Sequence, residues 1–348
     1  MDHTVSRRGL LALPALAVAT PALAQTPGVR LLALPTRVFK TPDPGRERTE
    51  SWVLWLFVET EVDGPVILEG LTVSLSGGGR PLSAKTYPAA AAQALSIKPP
   101  LTPRRPDGSA PLRPIYWPLA IRIRCTEPVA AGVDRMVVEA RLNGAPVLSV
   151  LPVETYGQKT ALIFPFRGKG VITQAGVTNG GHRNRSGQFA LDGVGLDDAY
   201  GVSLPGGGKS ADYHGWGREI IAPADATVVR ARADRPDQPD PEASDPKYYA
   251  PDYPNGGDPG NYLILDHGSG EFSLLAHLQA GSVAVAVGDR VAQGQVLGRL
   301  GSSGDTQTPH LHYQLQSGPD WEWADSLPCR FSNVGEPHLV RGTYFDAR

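Results

Sequence analysis

Cysteine is almost absent from this 348-residue chain, with only Cys125 and Cys329, far apart in sequence. That excludes a small scaffold stapled by several disulfides. In an oxidising compartment the two can pair and tie the halves of the chain together, and two separate buried thiols fit equally well. Neither charge sign dominates: Lys+Arg is 33 against Asp+Glu 35, a formal net charge of −2. That balance gives no support to a nucleic-acid partner, which favours a basic surface. Beyond the first two dozen residues no run is apolar enough for a membrane-spanning helix. No His-Glu-x-x-His pair occurs, and no carboxylate pair is marked out for cutting sugars. Between Ala24 and Glu154 there is no histidine at all, and no nucleophile-and-base spacing. The chemistry therefore belongs to the second half.

What the chain has in quantity is glycine and proline, 40 and 33 residues. Frequent turns of that kind suit β structure better than helix bundles, and the length allows about two domains. At the start, Ser6-Arg7-Arg8-Gly9 precedes an apolar run from Leu10 to Leu23 and then Ala22-Leu23-Ala24. A charged head, a short apolar run and small residues at the end form the pattern of an export signal. The paired arginines resemble a twin-arginine signal. Residues 1–24 are thus expected to be a signal peptide cleaved after Ala24. Pro14 and Pro21 and the shortness of the run weigh against a membrane anchor. Cleavage removes Arg7, Arg8 and Asp2, leaving 31 − 34 = −3. The mature chain is expected to be soluble, in the periplasm or outside the cell.

From about Gly28 to Glu154 short β patterns repeat. Trp52-Val53-Leu54-Trp55-Leu56-Phe57-Val58 is aromatic and β-branched enough for a buried strand. The runs 135–141 and 146–150 flank Asn143-Gly144, a strong hairpin signal. With 117–124 they predict a small antiparallel sandwich-like accessory domain over 25–155. The proline-rich basic stretch 98–106 reads as an extended, solvated connection between strands.

The second half is organised around Pro309-His310-Leu311-His312-Tyr313-Gln314-Leu315, whose alternation reads as a strand. Positions i and i+2 of a strand share a face, so His310 and His312 are expected side by side. Two such histidines also occur on merely wet sheet faces, and what matters is the company they keep. Upstream, Asn179-Gly180-Gly181-His182 reads as a turn and Gln188-Phe189-Ala190-Leu191-Asp192 as the strand after it. His182 and Asp192 offer nitrogen and carboxylate oxygen, both accepted by zinc. Asp197 and Asp198 lie close by, in a stretch that reads as loop. Segments 260–267 and 271–278 predict a hairpin about Gly268-Ser269-Gly270.

The order of these pieces resembles the lysostaphin/LytM-type zinc metallopeptidases, the β-lytic family that cuts peptidoglycan peptides. The matching elements are the His…Asp pair, Ala222-Pro223-Ala224-Asp225 and Ala276-His277-Leu278. Gly288-Asp289-Arg290-Val291, Gly294-Gln295-Val296-Leu297-Gly298, Gly301-Ser302-Ser303-Gly304 and Pro309-His310-Leu311-His312 complete the set. The resemblance covers about Gly168 to Ser317. It implies an all-β chain whose residues 156–348 form a mainly antiparallel peptidase domain. It also implies one Zn2+ held by His182, Asp192 and His312, with His277 and His310 as catalytic residues.

Three features depart from the family pattern. Nine residues separate His182 from Asp192, where three are common, and Ala226 stands in place of a turn glycine. Arg232 to Gly260 is a long insertion rich in Pro, Asp and Tyr, of a length usually functional or disordered, placed where it can wall or cover a groove. His214 is the alternative first ligand should His182 not serve, and His267, at the end of a hairpin strand, reads as structural.

Two imidazoles and one carboxylate would leave a fourth position on zinc for water, whose pKa the metal lowers towards ~7. With no glutamate base in sight, His277 or His310 is expected to take the water proton and pass it on, the other steadying the oxyanion. The expected function is an exported zinc endopeptidase hydrolysing peptidoglycan cross-links or stem peptides. The competing class is a non-catalytic lysostaphin-like module that binds the wall or regulates other hydrolases. A zinc peptidase acting on proteins is a further alternative, and assay on casein against peptidoglycan separates it.

Overall fold

The structure, a computed structural model, describes residues 29–34, 37–43, 46–60, 66–97, 116–176, 182, 186–243, 257–335 and 338–348. The segments expected to be an export signal (1–24), a proline-rich connection (98–106) and a turn (179–181), together with the middle of the insertion, lie outside them. The chain is all-β; among the described residues the helices are one five-residue α-helix (Ala89–Gln93) and two three-residue 3-10 turns (Val129–Ala131 and Ser210–Asp212).

The first assembly consists of β1 (Val29–Leu34), β2 (Val38–Asp43), β3 (Arg46–Thr60), β4 (Leu68–Gly77), β5 (Arg80–Pro88), β6 (Ser96–Ile97), β7 (Tyr116–Pro128), β8 (Arg135–Leu142) and β9 (Ala145–Thr155). Hydrogen bonding runs in the order β5-β4-β8-β9-β2-β3-β7-β6, with β1 beside β3. Every pairing is antiparallel except β2–β9, a parallel seam joining the two halves. The β8–β9 hairpin turns at Asn143-Gly144, both at positive φ (48° and 82°), the conformation that favours this dipeptide.

Strand β3 explains how this assembly is held. Trp52, Leu54, Leu56 and Val58 point into its own core with Ile121, Ile123, Met136 and Val138. The alternate residues Val53, Trp55 and Phe57 are just as buried, but they join the core of the second assembly. A strand buried on both faces needs an unbroken apolar run, and 52–58 is one. Each such side chain contributes roughly 1.5–3 kcal/mol by leaving water.

The second assembly consists of β10 (Gly168–Ala175), β11 (Leu191–Gly195), β12 (Glu219–Ile221), β13 (Ala226–Arg232), β14 (Asn261–Asp266), β15 (Phe272–Leu278), β16 (Arg290–Val291), β17 (Val296–Arg299), β18 (Leu311–Gln316), β19 (Ser326–Leu327) and β20 (Tyr344–Ala347). Its main sheet is antiparallel in the order β16-β13-β14-β15-β18-β11-β10-β20, with β19 beside β18 and a separate β12–β17 pair. One face, with Leu263, Leu265, Leu275, Leu311 and Tyr313, packs into the large core. The opposite face carries Ile264, Leu274 and Ala276. In cross-strand register with that face stand Asp192 and His312.

Between the assemblies, 156–160 is clamped by Glu271. Its carboxylate accepts from Tyr156 Oη at 2.5 Å, Lys159 N at 2.8 Å and Thr160 N at 2.8 Å. The Tyr156 ring packs edge-on against Phe39 of β2, centroids 5.0 Å apart.

Two local expectations need correcting. The strand carrying Asp192 begins at Leu191, not Gln188. Ala190 N turns back to Gly187 O at 2.9 Å and Ser326 Oγ captures Phe189 N at 3.1 Å, so 186–189 forms a turn. His310 stands just before β18 rather than within it. Of the two alternatives for the cysteines, the structure shows separate thiols, each partly buried, Cys125 against the first core and Cys329 against the second. Burial pushes both thiols up to about 12. Among the described residues no helix is long and apolar enough to cross a membrane.

Candidate metal centre

The site is assembled on adjacent strands. Asp192 in β11 pairs directly with His312 in β18, so the two side chains share one face of the sheet. His312 Nδ1 lies 3.0 Å from Asp192 Oδ1. His182, between β10 and β11, brings Nε2 to 3.2 Å from the other carboxylate oxygen, Oδ2. The His182 and His312 rings meet edge to face with centroids 4.8 Å apart. The three side chains each present one ligand atom, all within 4.8 Å of one another. Two imidazole nitrogens and a carboxylate oxygen at that spacing form a donor set suited to zinc, three of the four ligands that ion takes.

His277 reaches the same face by a local irregularity. Asn261 pairs with Leu278 and Leu263 with Leu275, so one β14 residue faces two β15 residues, Ala276 and His277. The bulge puts His277 at φ 61°, rare for a residue with a Cβ. Strict alternation would send His277 into the large core with Leu275. The extra residue lets Leu275 and Leu278 both enter that core while His277 turns towards the site. Its ring lies 4.9 Å from His310 and 5.9 Å from His312, centroid to centroid.

Hydrogen bonds decide which nitrogen of each ring carries the proton. His277 Nδ1 lies 2.9 Å from Ser303 O and His310 Nδ1 2.6 Å from Thr308 O. A carbonyl only accepts, so Nδ1 carries a hydrogen in both rings, and in the neutral form of either ring the lone pair lies on Nε2. His310 Nε2 then stands 3.6 Å from Asp192 Oδ1. Burial pushes His277 well below the ordinary histidine range, reinforced by the facing His310 and His312, so the ring is neutral at pH 7. Burial also lowers His312, against the pull of its hydrogen bond to Asp192. For Asp192, burial alone would raise the pKa. The facing His182 and His310, with hydrogen bonds from His182 and His312, outweigh that and hold the carboxyl well below its usual range.

The other histidines stand apart. His214 Nε2 faces Asp197 Oδ2 at 3.3 Å and is not part of the converging set. Asp197 is turned inward on its own loop, accepting from Ala199 N and Gly201 N. His267 lies between Asp225 O and Ser273 Oγ at 3.1 and 2.8 Å, a packing role in keeping with the sequence reading. The carbonyls of Ser303 and Thr308 that orient the two imidazoles were not legible as site residues. Their only signals were the Gly301–Gly304 turn and the threonines just before Pro309.

With this geometry in place, residues 209–322 match Peptidase family M23. Over that span, about a third of the chain, the sequence is that of an M23 peptidase domain. The matched span includes His277, His310 and His312 and begins after Asp192. The peptidoglycan DD-endopeptidase ShyA of Vibrio cholerae is 38% identical over 56 residues, 16% of this chain and 13% of its own length. ShyC of the same organism is 42% identical over 56 residues, 16% of this chain and 12% of its own length. This chain thus matches only a small part of either relative. A crystal structure of Helicobacter pylori Csd3 is similar at 13% identity, with a TM-score of 0.32, over 89% of this chain and 77% of that one.

Proposed function

We propose that this chain is an exported, zinc-dependent endopeptidase that hydrolyses peptide bonds in peptidoglycan cross-links or stems. The observation that carries the reading is the convergence of His182 Nε2, Asp192 and His312 Nδ1, with two further imidazoles beside them, in a chain with an M23 domain. His182, Asp192 and His312 would hold the ion. When bound, zinc supplies Lewis acidity and an acidified water. The similarity to two peptidoglycan DD-endopeptidases supports wall peptides as the substrate class.

The chain's own residues would do the proton work. Nε2 of His277 and of His310 each carry a lone pair, set by the carbonyls behind them. Either can accept a proton from a water in the site and return it to the leaving amine. Once protonated, the same nitrogen donates to developing negative charge on the substrate oxygen. Burial of His277 keeps it neutral and ready to accept. Residues 1–24 would direct export, 25–155 would form the accessory domain, and 156–348 the peptidase domain.

The test uses the mature protein loaded with zinc on purified peptidoglycan, with the released muropeptides identified by mass spectrometry. Chelated protein and an Asp192→Ala variant run alongside. Cleavage dependent on both the ion and Asp192 supports the reading and names the bond. Bound zinc without cleavage of wall peptides would overturn it.

A further inference from the structure

The described ends of the insertion lead away from the metal-binding set and into the support behind His277. Gln238 N donates to Ser302 O at 2.7 Å, and Ser302 N donates to Asp237 Oδ1 at 2.9 Å. Both backbone groups of Ser302, itself fully buried, are thus satisfied by two consecutive insertion residues. Asp237 pairs with Ser303 in an isolated bridge, and its Oδ2 accepts from Ala280 N at 3.0 Å. The Gln238 side-chain amide donates to Gly304 O. At the other end of the insertion, Pro259 O accepts from His277 N at 3.0 Å.

The contact is backbone against backbone. A Cβ on Gly260 would lie 2.1 Å from Ser303 O, and one on Gly304 2.3 Å from Asp258 O, both at positive φ. Ser303 Oγ accepts from Asn261 N at 2.8 Å and donates to Leu278 O at 2.6 Å. The carbonyl of this clamped Ser303 receives the His277 Nδ1 hydrogen.

We propose that Asp237 and Gln238 are positioning residues for His277. By fixing the Ser302-Ser303 backbone they hold one tautomer, with Nδ1 protonated and Nε2 bare. Neither residue is part of the metal-binding set, so the effect passes through Ser303. The insertion is then a working part of the site, supporting it from behind. Its catalytic consequence rests on the proposed role of His277, while the tautomer itself does not.

The experiment compares the zinc-loaded wild type with Asp237→Ala, Gln238→Ala and the milder Asp237→Asn. Zinc content, kcat and KM on wall peptides, and the His277 tautomer from two-bond 15N–1H correlation spectra are measured for each. The alanine variants should keep wild-type zinc. Asp237→Ala should lose about 10–100-fold in kcat, the range for groups that orient site residues. Gln238→Ala, which keeps its backbone bond to Ser302 O and loses only that to Gly304 O, should lose less. KM should stay within about twofold, because substrate contacts are untouched. Their His277 should show mixed tautomers, and Asp237→Asn, keeping one acceptor, should fall between. Unchanged kcat with His277 protonated at Nδ1 alone would overturn the proposal. So would activity lost only in proportion to zinc or folded protein. If the wild type proves inactive, the functional reading fails, while the tautomer comparison still decides the clamp. Should Asp237→Ala not fold, Asp237→Asn carries the same test at the Ser302 N contact.

Discussion

Asp192 and His312 are cross-strand partners in adjacent strands, and His312 Nδ1 lies 3.0 Å from Asp192 Oδ1. The contact needs no loop to hold it, because the β11–β18 register places the two side chains together. His182 approaches the second carboxylate oxygen from a connection. Asp192 therefore stands between both imidazoles.

That placement predicts the effect of Asp192→Ala. Loss of the carboxylate removes one donor and the charge facing both histidines. Zinc affinity should fall by more than about 100-fold, since even changes behind a ligand cost 10–100-fold. Isothermal titration with zinc checks the affinity, and circular dichroism checks that the sheet persists. Undiminished zinc binding by this variant would rule out Asp192 as a ligand.

His310→Ala should separate binding from turnover. His310 Nε2 is 3.6 Å from Asp192 Oδ1, farther than the nitrogens of His182 or His312, and its Nδ1 is committed to Thr308 O. Zinc should remain bound, while cleavage falls by about 10²–10⁴-fold, the range for a proton-transfer residue. Metal analysis and muropeptide release from one preparation test both halves. Full activity would remove His310 from the mechanism.

The sheets and the hairpin at Asn143-Gly144 followed from alternation and turn chemistry, whereas His310, expected on a strand face beside His312, stands just before that strand. The bulge at His277 was not legible, because the apolar run Leu274-Leu275-Ala276 does not mark where an extra residue lies, and only the pairing with β14 reveals it. The turn at 186–189 was hidden for a similar reason. Phe189, followed by Ala190 and Leu191, read as strand, while the bonds that bend the segment come from Ser326 and from Gly187. Run 52–58 was legible as buried, but that its two faces serve two cores is a property of the packed chain. Asp237 and Gln238 had no local signal, since their partners lie more than forty residues away.

Because Val53, Trp55 and Phe57 belong to the second core, the two assemblies should resist unfolding as a coupled unit. Trp55→Ala should cost about 3–5 kcal/mol, the usual range for emptying a large aromatic site. Denaturant unfolding followed by far-UV dichroism and by tryptophan fluorescence should give coincident transitions in the wild type. The variant should show an early transition for the first assembly. A loss below about 1 kcal/mol would mean that the contact does not couple them.

Glu271 sets the acid limit of that coupling. Burial would raise its pKa. The hydrogen bonds from Thr160, Tyr156 and Lys159 outweigh it and hold the folded-state carboxyl below its ordinary value of 4.5. A carboxyl depressed on folding contributes stability that is fully present above the unfolded-state pKa. That contribution is lost as pH falls from about 4.5 through the lower folded-state value. Glu271→Gln removes the titrating charge but keeps one carbonyl acceptor for three donors. At pH 7 it should be destabilised by about 1.5–3 kcal/mol, the range for a charged hydrogen-bonded group. Below pH 4 its deficit against the wild type should shrink, because the wild-type carboxyl is then being protonated as well. Melting temperatures of both proteins from pH 7 to pH 3 test the sign directly. A deficit that stays constant or widens in acid would show that the clamp does not depend on the Glu271 charge.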